Sequence, residues 1–124
     1  MARILVIDDD MFVRRTIVYL LQALGHETAD AENGRLGVDM QRQQRFDMVI
    51  TDMVMPVQDG LETINILKKE FQQLPIIAMS GGSPAHGKAR LTDASLAGAM
   101  TTLTKPFTTE ELLGAMLRCL DSDH

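Results

Sequence analysis

Cysteine and aromatic residues are scarce in this chain, and each shortage argues against a class of protein. The single cysteine, Cys119, has no partner for an internal disulfide, and one thiolate cannot build a cysteine-based zinc site. The chain has no tryptophan, one tyrosine and four phenylalanines, so nothing indicates a stacking surface for nucleic-acid bases. We therefore expect a reducing, cytoplasmic setting and no direct nucleic-acid partner.

Long apolar runs and clusters of basic residues are also missing. No run approaches the roughly 20 apolar residues that a membrane-spanning helix needs. The start of the chain leads straight into a strand-like run at 3–7, with no signal-peptide pattern. The formal net charge is -5, and the basic residues occur at most as pairs such as Arg14-Arg15. We expect no membrane contact, and we expect cations or cationic protein surfaces as partners.

The 124 residues have the composition of one ordinary globular domain. Apolar residues make up 45% of the chain and charged residues 23%. A chain of this length can bury roughly two thirds of its unfolded surface, which is enough for a real core. Because no linker, repeat or change of composition interrupts the chain, we expect a single domain over residues 1–124, with a frayed polar tail at 121–124.

Short apolar runs alternate with longer amphipathic stretches along the chain. The predicted strands are 3–7, 26–31, 47–51, 76–79 and 100–104. A helix is predicted after each strand: over 11–24, from Asn33-Gly34 to about 44, after Asp59, from Gly87 to about 97, and after Thr108. This α/β alternation predicts a doubly wound (βα)5 parallel sheet covered on both faces. Right-handed crossovers favour the flavodoxin-like strand order 2-1-3-4-5.

The termini of two helices carry the sharpest local predictions. Asp10 is predicted to cap the first helix, with Arg14 and Arg15 on its solvated face. Thr108 and Glu111 form a capping box for the last helix. The predicted buried stripe of that last helix consists of Leu113, Met116, Leu117 and Leu120.

Polar side chains follow the carboxyl ends of the predicted strands. Asp8 and Asp9 follow the first strand, Asp52 the third, Ser80 the fourth and Lys105 the fifth. Ligands of open α/β sheets bind at this edge, near the point where the strand order reverses. We therefore expect these side chains to meet there, with the long stem of the lysine reaching across.

Three carboxylates in one cleft repel one another and need a compensating charge. At an effective dielectric constant of 20, two charges about 4 Å apart interact by about 4 kcal/mol. Raised pKa values, the Lys105 ammonium or a divalent cation would offset this repulsion. Carboxylate oxygens and water are the ligands that Mg²⁺ prefers. A carboxylate among such groups is suited to act as the nucleophile of an aspartyl-phosphate reaction.

Four short motifs, in chain order, carry a resemblance to a known family. They are I-L-V-I-D-D-D at 4–10, V-I-T-D-M-V-M-P-V-Q-D-G at 49–60, P-I-I-A-M-S-G at 75–81 and T-K-P-F at 104–107. In these motifs the chain resembles the receiver domain of two-component response regulators, of the single-domain chemotaxis type. The resemblance implies a switch that is phosphorylated by a sensor histidine kinase or a histidine phosphotransfer protein and then binds an unidentified effector protein. It implies catalysis of the chain's own phosphorylation and dephosphorylation only.

The resemblance also implies a magnesium site. Asp9 would bind Mg²⁺ directly, and Asp8 would act mainly through water. Asp52 and the backbone carbonyl of Val54 would complete the protein's share of the ligands.

The same resemblance implies roles in phosphoryl transfer. Asp52 would be the phosphoacceptor, Ser80 would donate a hydrogen bond to a phosphoryl oxygen, and Lys105 would pair with the phosphoryl group. The Lys105-Pro106 bond would be cis. Thr102 stands where the family often has an aromatic switch residue, so an aromatic in-and-out switch is not available here.

Two other interpretations stay open. The segment G-S-P-A-H-G-K-A at 82–89 nearly matches the phosphate-binding loop G-x-x-x-x-G-K-[ST], but Ala89 lacks the hydroxyl that binds Mg²⁺. A nucleotide-binding enzyme would depend on Lys88. A degenerate receiver that serves only as a protein-binding module would need no phosphorylation.

Overall fold

Every strand of the chain is followed by a helix, as the alternating pattern predicts. The computed structural model describes residues 2–55, 57–81 and 84–121, without the side chains of 84–88 and 121. The strands are β1 (Arg3–Ile7), β2 (Glu27–Ala31), β3 (Met48–Asp52), β4 (Ile76–Ser80) and β5 (Thr101–Thr104). The helices are α1 (Met11–Ala23), α2 (Gly34–Gln44), α3 (Gly60–Glu70), α4 (Pro84–Ala97) and α5 (Thr109–Asp121).

The strands form one parallel sheet in the order β2-β1-β3-β4-β5, which confirms the predicted topology. β1 pairs with β2 on one side and with β3 on the other, so the chain reverses direction across the sheet at β1. β3 then pairs with β4 and β4 with β5. Because all strands run the same way, their carboxyl ends share one edge. The polar residues that follow the strands therefore share that edge.

Two apolar layers cover the two faces of the sheet. Alternate residues of β1 point to opposite layers: Leu5 and Ile7 to one, Ile4 and Val6 to the other. The first layer is completed by residues of α2, α3 and α4, and the second by residues of α1 and α5. This two-sided burial explains why β1, β3 and β4 are apolar without alternation. Within the described ranges, no helix has the length and apolarity to cross a bilayer.

Local capping signals in the sequence determine where most helices begin. The side chains of Asp10, Asn33 and Asp59 accept hydrogen bonds from backbone N–H groups of the first turns of α1, α2 and α3. Thr108 and Glu111 form the predicted reciprocal capping box, with both hydrogen bonds at 3.0 Å. The predicted cap at Asp10 and the predicted capping box of Thr108 and Glu111 are confirmed.

The predicted buried face of α5 was wrong by one residue. The buried side chains are Leu112, Ala115, Met116 and Cys119, whereas Leu117 is 58% exposed. Both sets have the i, i+3, i+4, i+7 spacing of a helix face. Apolar residues occupy both stripes, so spacing alone could not choose between them, and packing on the sheet decides. Cys119 is a buried small side chain, and burial raises the pKa of its thiol to about 11.

The fourth helix begins earlier than the glycine-rich sequence suggests. α4 starts at Pro84 instead of after Gly87. Proline suits the first helical position, where no backbone donor is needed. A phosphate-binding loop would need non-helical backbone up to the glycine that precedes Lys88. Because that stretch is helical from Pro84 onward, the nucleotide-binding interpretation loses its structural basis. Residues 82 and 83 lie outside the described part of the chain.

Candidate functional site

The predicted site residues occupy the carboxyl edge of the sheet. Asp8 follows β1 directly, Asp52 is the last residue of β3 and Ser80 is the last residue of β4. Lys105 follows β5 and donates its backbone N–H to the carbonyl of Ser80 at 2.8 Å. Asp52 pairs in register with Met79, so the ends of β3 and β4 are neighbours. The strand order thus brings together residues that are far apart in the sequence.

The ammonium group of Lys105 lies between two carboxylates. Its Nζ atom is 2.9 Å from Oδ2 of Asp8 and 3.1 Å from Oδ1 of Asp52. The Asp8 side chain is fully buried, and Asp52 is only 6% exposed. One cation therefore contacts the carboxylates at the ends of the neighbouring strands β1 and β3, and its own side chain is 22% exposed.

Asp9 adds a third carboxylate to the same place. One carboxylate oxygen from each of Asp8, Asp9 and Asp52 lies within 4.8 Å of the other two. Asp9 is exposed, in contrast to the other two acids. The cluster therefore has a buried floor and one solvent-facing member. Oxygen donors this close, with one open side, can hold a hard metal ion such as Mg²⁺.

The shared environment shifts the pKa values of Asp52 and Lys105. Burial raises the pKa of Asp52 and outweighs the attraction of Lys105, while the charge of Asp8 adds to the increase. For Lys105, burial opposes the charged form. The hydrogen bond with Asp8 and the charges of Asp52 and Asp8 outweigh that burial and raise the pKa of Lys105. The lysine is thus held as an ammonium ion, whereas the ionised form of Asp52 is less favourable than that of an ordinary aspartate.

The backbone after Asp52 is supported by the first residue of α3. Gly60 donates its N–H to the carbonyl of Met53 at 3.0 Å. A Cβ atom at Gly60 would lie 2.4 Å from the backbone oxygen of Asp52 and 2.5 Å from Cα of Met53. Glycine is therefore required for α3 to approach this closely. The sequence predicted only that a helix starts after Asp59, and this supporting contact of Gly60 was missed.

Ser80 lies at the end of β4 and Val54 just after the end of β3, on the same edge of the sheet as the acidic cluster. Ser80 is fully buried, and its hydroxyl is 3.5 Å from the carbonyl of Gly81, a long hydrogen bond. Val54 lies in the loop after β3 with its side chain 52% exposed. The Lys105-Pro106 bond is cis, as the resemblance implied. Thr102 is half-buried on β5.

The prediction that Arg14 is solvated was wrong. Its side chain is 12% exposed, and its Nε is 2.5 Å from the carboxylate of Asp30. Its Nη1 donates to the backbone carbonyl of Asp8 at 2.8 Å. The sequence did hold a signal, because Arg14 lies one turn after the capping Asp10 and helical side chains point towards the N-terminus. Arg15 is exposed, as predicted.

Comparison with known proteins identifies the family. The protein-family model of the response regulator receiver domain matches residues 4–117. The response regulator MprA of Mycolicibacterium vanbaalenii is 37% identical over 115 residues, which cover 93% of this chain and 48% of that protein. The DNA-binding transcriptional regulator NtrC of Azospirillum brasilense is 35% identical over 122 residues, which cover 98% of this chain and 25% of that protein. The chain thus spans half or less of the length of these relatives.

Solved structures give the same result. A response regulator receiver domain protein from Clostridium thermocellum superposes with a TM-score of 0.89 at 29% identity, covering 98% of this chain and 95% of that one. The chemotaxis response regulator CheY4 of Vibrio cholerae superposes with a TM-score of 0.83 at 30% identity, covering 96% and 98%. With its motifs, its strand order and its acidic cluster, the chain belongs to the response regulator receiver family, the phosphoryl-accepting domains of two-component signalling.

Proposed function

We propose that Asp52 is the phosphoacceptor of this receiver domain. The observation that carries the proposal is the position of Lys105, whose Nζ lies 3.1 Å from Asp52 and 2.9 Å from Asp8. An ammonium beside a carboxylate nucleophile is already in place for the negative charge that a transferring phosphoryl group brings. Asp9 is the exposed acid of the cluster, so a donor could reach the site from its side.

The transfer step is a displacement at phosphorus. A carboxylate oxygen of Asp52 attacks the phosphorus of a phosphohistidine, and a P–O bond forms as the P–N bond breaks. The electron pair of the broken bond stays on the imidazole nitrogen, which takes up a proton. Asp52 must be ionised to attack, and its raised pKa makes the ionised form less favourable than in an ordinary aspartate. The positive charge of Lys105 lowers this pKa and so limits the increase that burial and Asp8 cause.

Asp8, Asp9 and Asp52, with the backbone carbonyl of Val54, would hold Mg²⁺. The three carboxylates fit a hard divalent cation because each offers an oxygen within 4.8 Å of the others. When bound, Mg²⁺ would neutralise charge on the phosphoryl oxygens. The chain's own residues keep Asp52 among charged partners and exclude most water, since Asp8 and Asp52 are buried.

Ser80 and Lys105 would hold the phosphoryl group after transfer. Ser80 ends the strand next to the one that carries Asp52, and among the described residues its hydroxyl makes a single, long hydrogen bond, to the carbonyl of Gly81. That hydroxyl is therefore available to donate to a phosphoryl oxygen. Lys105 would move its contact from the carboxylate of Asp52 to the phosphoryl oxygens. The chain would catalyse its own phosphorylation and dephosphorylation, with no outside substrate beyond the donor.

The donor would be a sensor histidine kinase or a histidine phosphotransfer protein, and a downstream effector protein would read the phosphorylated state. The domain would work in the cytoplasmic setting expected from its single cysteine. The stretch from Ser80 to Lys105 follows the site directly and contains α4 and β5. Because Thr102 is not aromatic, output would use this stretch without an aromatic switch.

Mass spectrometry after incubation with acetyl phosphate and Mg²⁺ tests the proposal. We expect the wild type to gain one phosphoryl group and Asp52→Asn to gain none. Asp10→Asn is the matched control, because it changes a neighbouring exposed acid and asparagine caps a helix about as well as aspartate. This control should be phosphorylated like the wild type, and chelation of Mg²⁺ should abolish the adduct in both.

Absence of any adduct from either acetyl phosphate or a histidine kinase would contradict the proposal. Partner binding that is unchanged in Asp52→Asn would then favour a receiver that acts only as a protein-binding module. An adduct that persists in Asp52→Asn would show that another residue is the acceptor.

A further inference from the structure

Arg14 ties three parts of the fold together beside the acidic cluster. It belongs to α1, its Nε binds the carboxylate of Asp30 on β2 at 2.5 Å, and its Nη1 donates to the carbonyl of Asp8 at 2.8 Å. The rigid, planar guanidinium holds Nε and Nη1 in a fixed fork that fits both acceptors, whereas the donors of a lysine ammonium have no such fixed arrangement. The side chain is 12% exposed, so these contacts are largely protected from water.

The contact with Asp8 acts on the peptide unit that joins Asp8 to Asp9. The backbone N–H of Asp8 donates to the carbonyl of Ala31 at 3.1 Å, and the N–H of Asp10 donates to the Asp8 carboxylate at 2.9 Å. The backbone carbonyl of Asp8 accepts the hydrogen bond from Nη1 of Arg14. Because that carbonyl belongs to the peptide plane that leads into Asp9, Arg14 helps to set the direction of the exposed Asp9 carboxylate.

We propose that Arg14 is a positioning residue of the phosphorylation site, which holds the Asp8–Asp9 peptide so that the Asp9 carboxylate faces those of Asp8 and Asp52. This inference rests on the proposed function, because it concerns the acids assigned to Mg²⁺. Replacement of a residue that orients a metal ligand commonly changes metal affinity by about 10-fold to 100-fold. Arg14 acts through the backbone and is not itself a ligand.

A positioning role and a charge effect predict opposite results. Removal of a positive charge near a cation site strengthens cation binding if only long-range electrostatics acts. Removal of a positioning contact weakens binding, because Asp9 no longer keeps its place. Arg14→Gln and Arg15→Gln remove the same charge from adjacent positions of α1, but only Arg14 makes the bridge. The pair therefore separates geometry from charge.

The test is isothermal titration calorimetry of Mg²⁺ with the full chain, at a temperature where urea unfolding shows every variant to be folded. We expect Arg14→Gln to bind Mg²⁺ at least tenfold more weakly than Arg15→Gln, and Arg15→Gln to match the wild type or bind slightly more tightly. Arg14→Lys keeps the charge but lacks the fixed fork that fits both acceptors, so it should remain several-fold weaker than the wild type. Should Arg14→Gln be poorly folded, Asp30→Asn weakens the same bridge, with Glu32→Gln as its charge-matched control.

Equal or tighter binding by Arg14→Gln than by Arg15→Gln overturns the inference, as does wild-type affinity in Arg14→Lys. In both cases the wild type still binds Mg²⁺ and is phosphorylated, so the proposed function stands. A wild type that neither binds Mg²⁺ nor gains a phosphoryl group overturns the proposed function, and the role of Arg14 falls with it.

Discussion

Gly60 gives the most direct test of how α3 supports the phosphorylation site. A methyl group at this position would lie 2.4 Å from the backbone oxygen of Asp52 and 2.5 Å from Cα of Met53. Ordinary van der Waals contacts of such atoms begin about one ångström farther away. Both atoms belong to the backbone, so no side-chain rotation relieves the clash, and either α3 or the end of β3 must move.

The expected cost of Gly60→Ala follows from two opposing effects. Overpacking of a close contact costs typically about 1–3 kcal/mol. Alanine recovers less than the roughly 0.5–1 kcal/mol of a helix interior, because Gly60 is the first residue of α3. We therefore expect the free energy of unfolding to fall by about 0.5–2.5 kcal/mol, and the melting temperature of a chain of this size to fall by about 3–6 °C per kcal/mol.

Urea unfolding at neutral pH measures this effect, with Gly114→Ala as the matched control. Gly114 lies inside α5, and a Cβ atom there would meet nothing within 4 Å. Gly114→Ala should therefore raise the free energy of unfolding by up to about 1 kcal/mol. Gly60→Ala should also slow phosphorylation of Asp52 by acetyl phosphate, whereas Gly114→Ala should not. Gly60→Ala that is as stable as the wild type would refute the argument.

Three further predictions concern the loop after β3 and the acidic cluster. Val57 has a left-handed φ of 71°, so Val57→Gly should raise the free energy of unfolding in urea by about 1 kcal/mol, whereas Val54→Gly should lower it by about 0.5–1 kcal/mol. No increase for Val57→Gly would contradict backbone strain at Val57. Because burial raises the folded-state pKa of Asp52, its stabilising contribution is present at acidic pH and is lost as the pH rises through that pKa. Metal-free Asp52→Asn should thus unfold at a higher urea concentration than the wild type at pH 7, and the difference should shrink towards pH 4. An Asp52→Asn variant that is less stable than the wild type at pH 7 would refute this. Mg²⁺ at about 100 times its dissociation constant should stabilise the wild type by about 2.7 kcal/mol in thermal unfolding, and much less in Asp9→Asn; equal stabilisation of both would exclude Asp9 as a ligand.

Most of the fold could be predicted from the sequence because its signals are local. Continuous apolar runs identify buried parallel strands, and capping residues such as Asp10, Asn33 and Asp59 mark where helices start. The topology then follows from the alternation of strands and helices, since parallel strands need right-handed crossovers. The carboxyl ends of the strands could be located in the same way, and with them the acids and the lysine of the site.

What the sequence could not predict depends on contacts between distant elements. α5 carries two apolar stripes one residue apart, and only packing against the sheet selects the one that contains Leu112 and Cys119. Arg14 looks like one of two solvated arginines until β2 places Asp30 beside it. Gly60 looks like turn chemistry until the end of β3 passes within contact distance. In each case the chain pattern permits several environments and tertiary packing chooses one.

The charges of the site indicate how Lys105 would respond to phosphorylation of Asp52. The formal charge of Asp8, Asp9, Asp52 and Lys105 together is minus two, which one divalent cation balances. Phosphorylation would replace the single charge on Asp52 by about two, because a phosphoryl group is largely dianionic at neutral pH. Lys105, now shared with Asp8, would be drawn towards that added charge. Its backbone N–H is bonded to the carbonyl of Ser80, where β4 ends and the chain leads into α4. A change of charge on Asp52 would therefore act first on the end of β4.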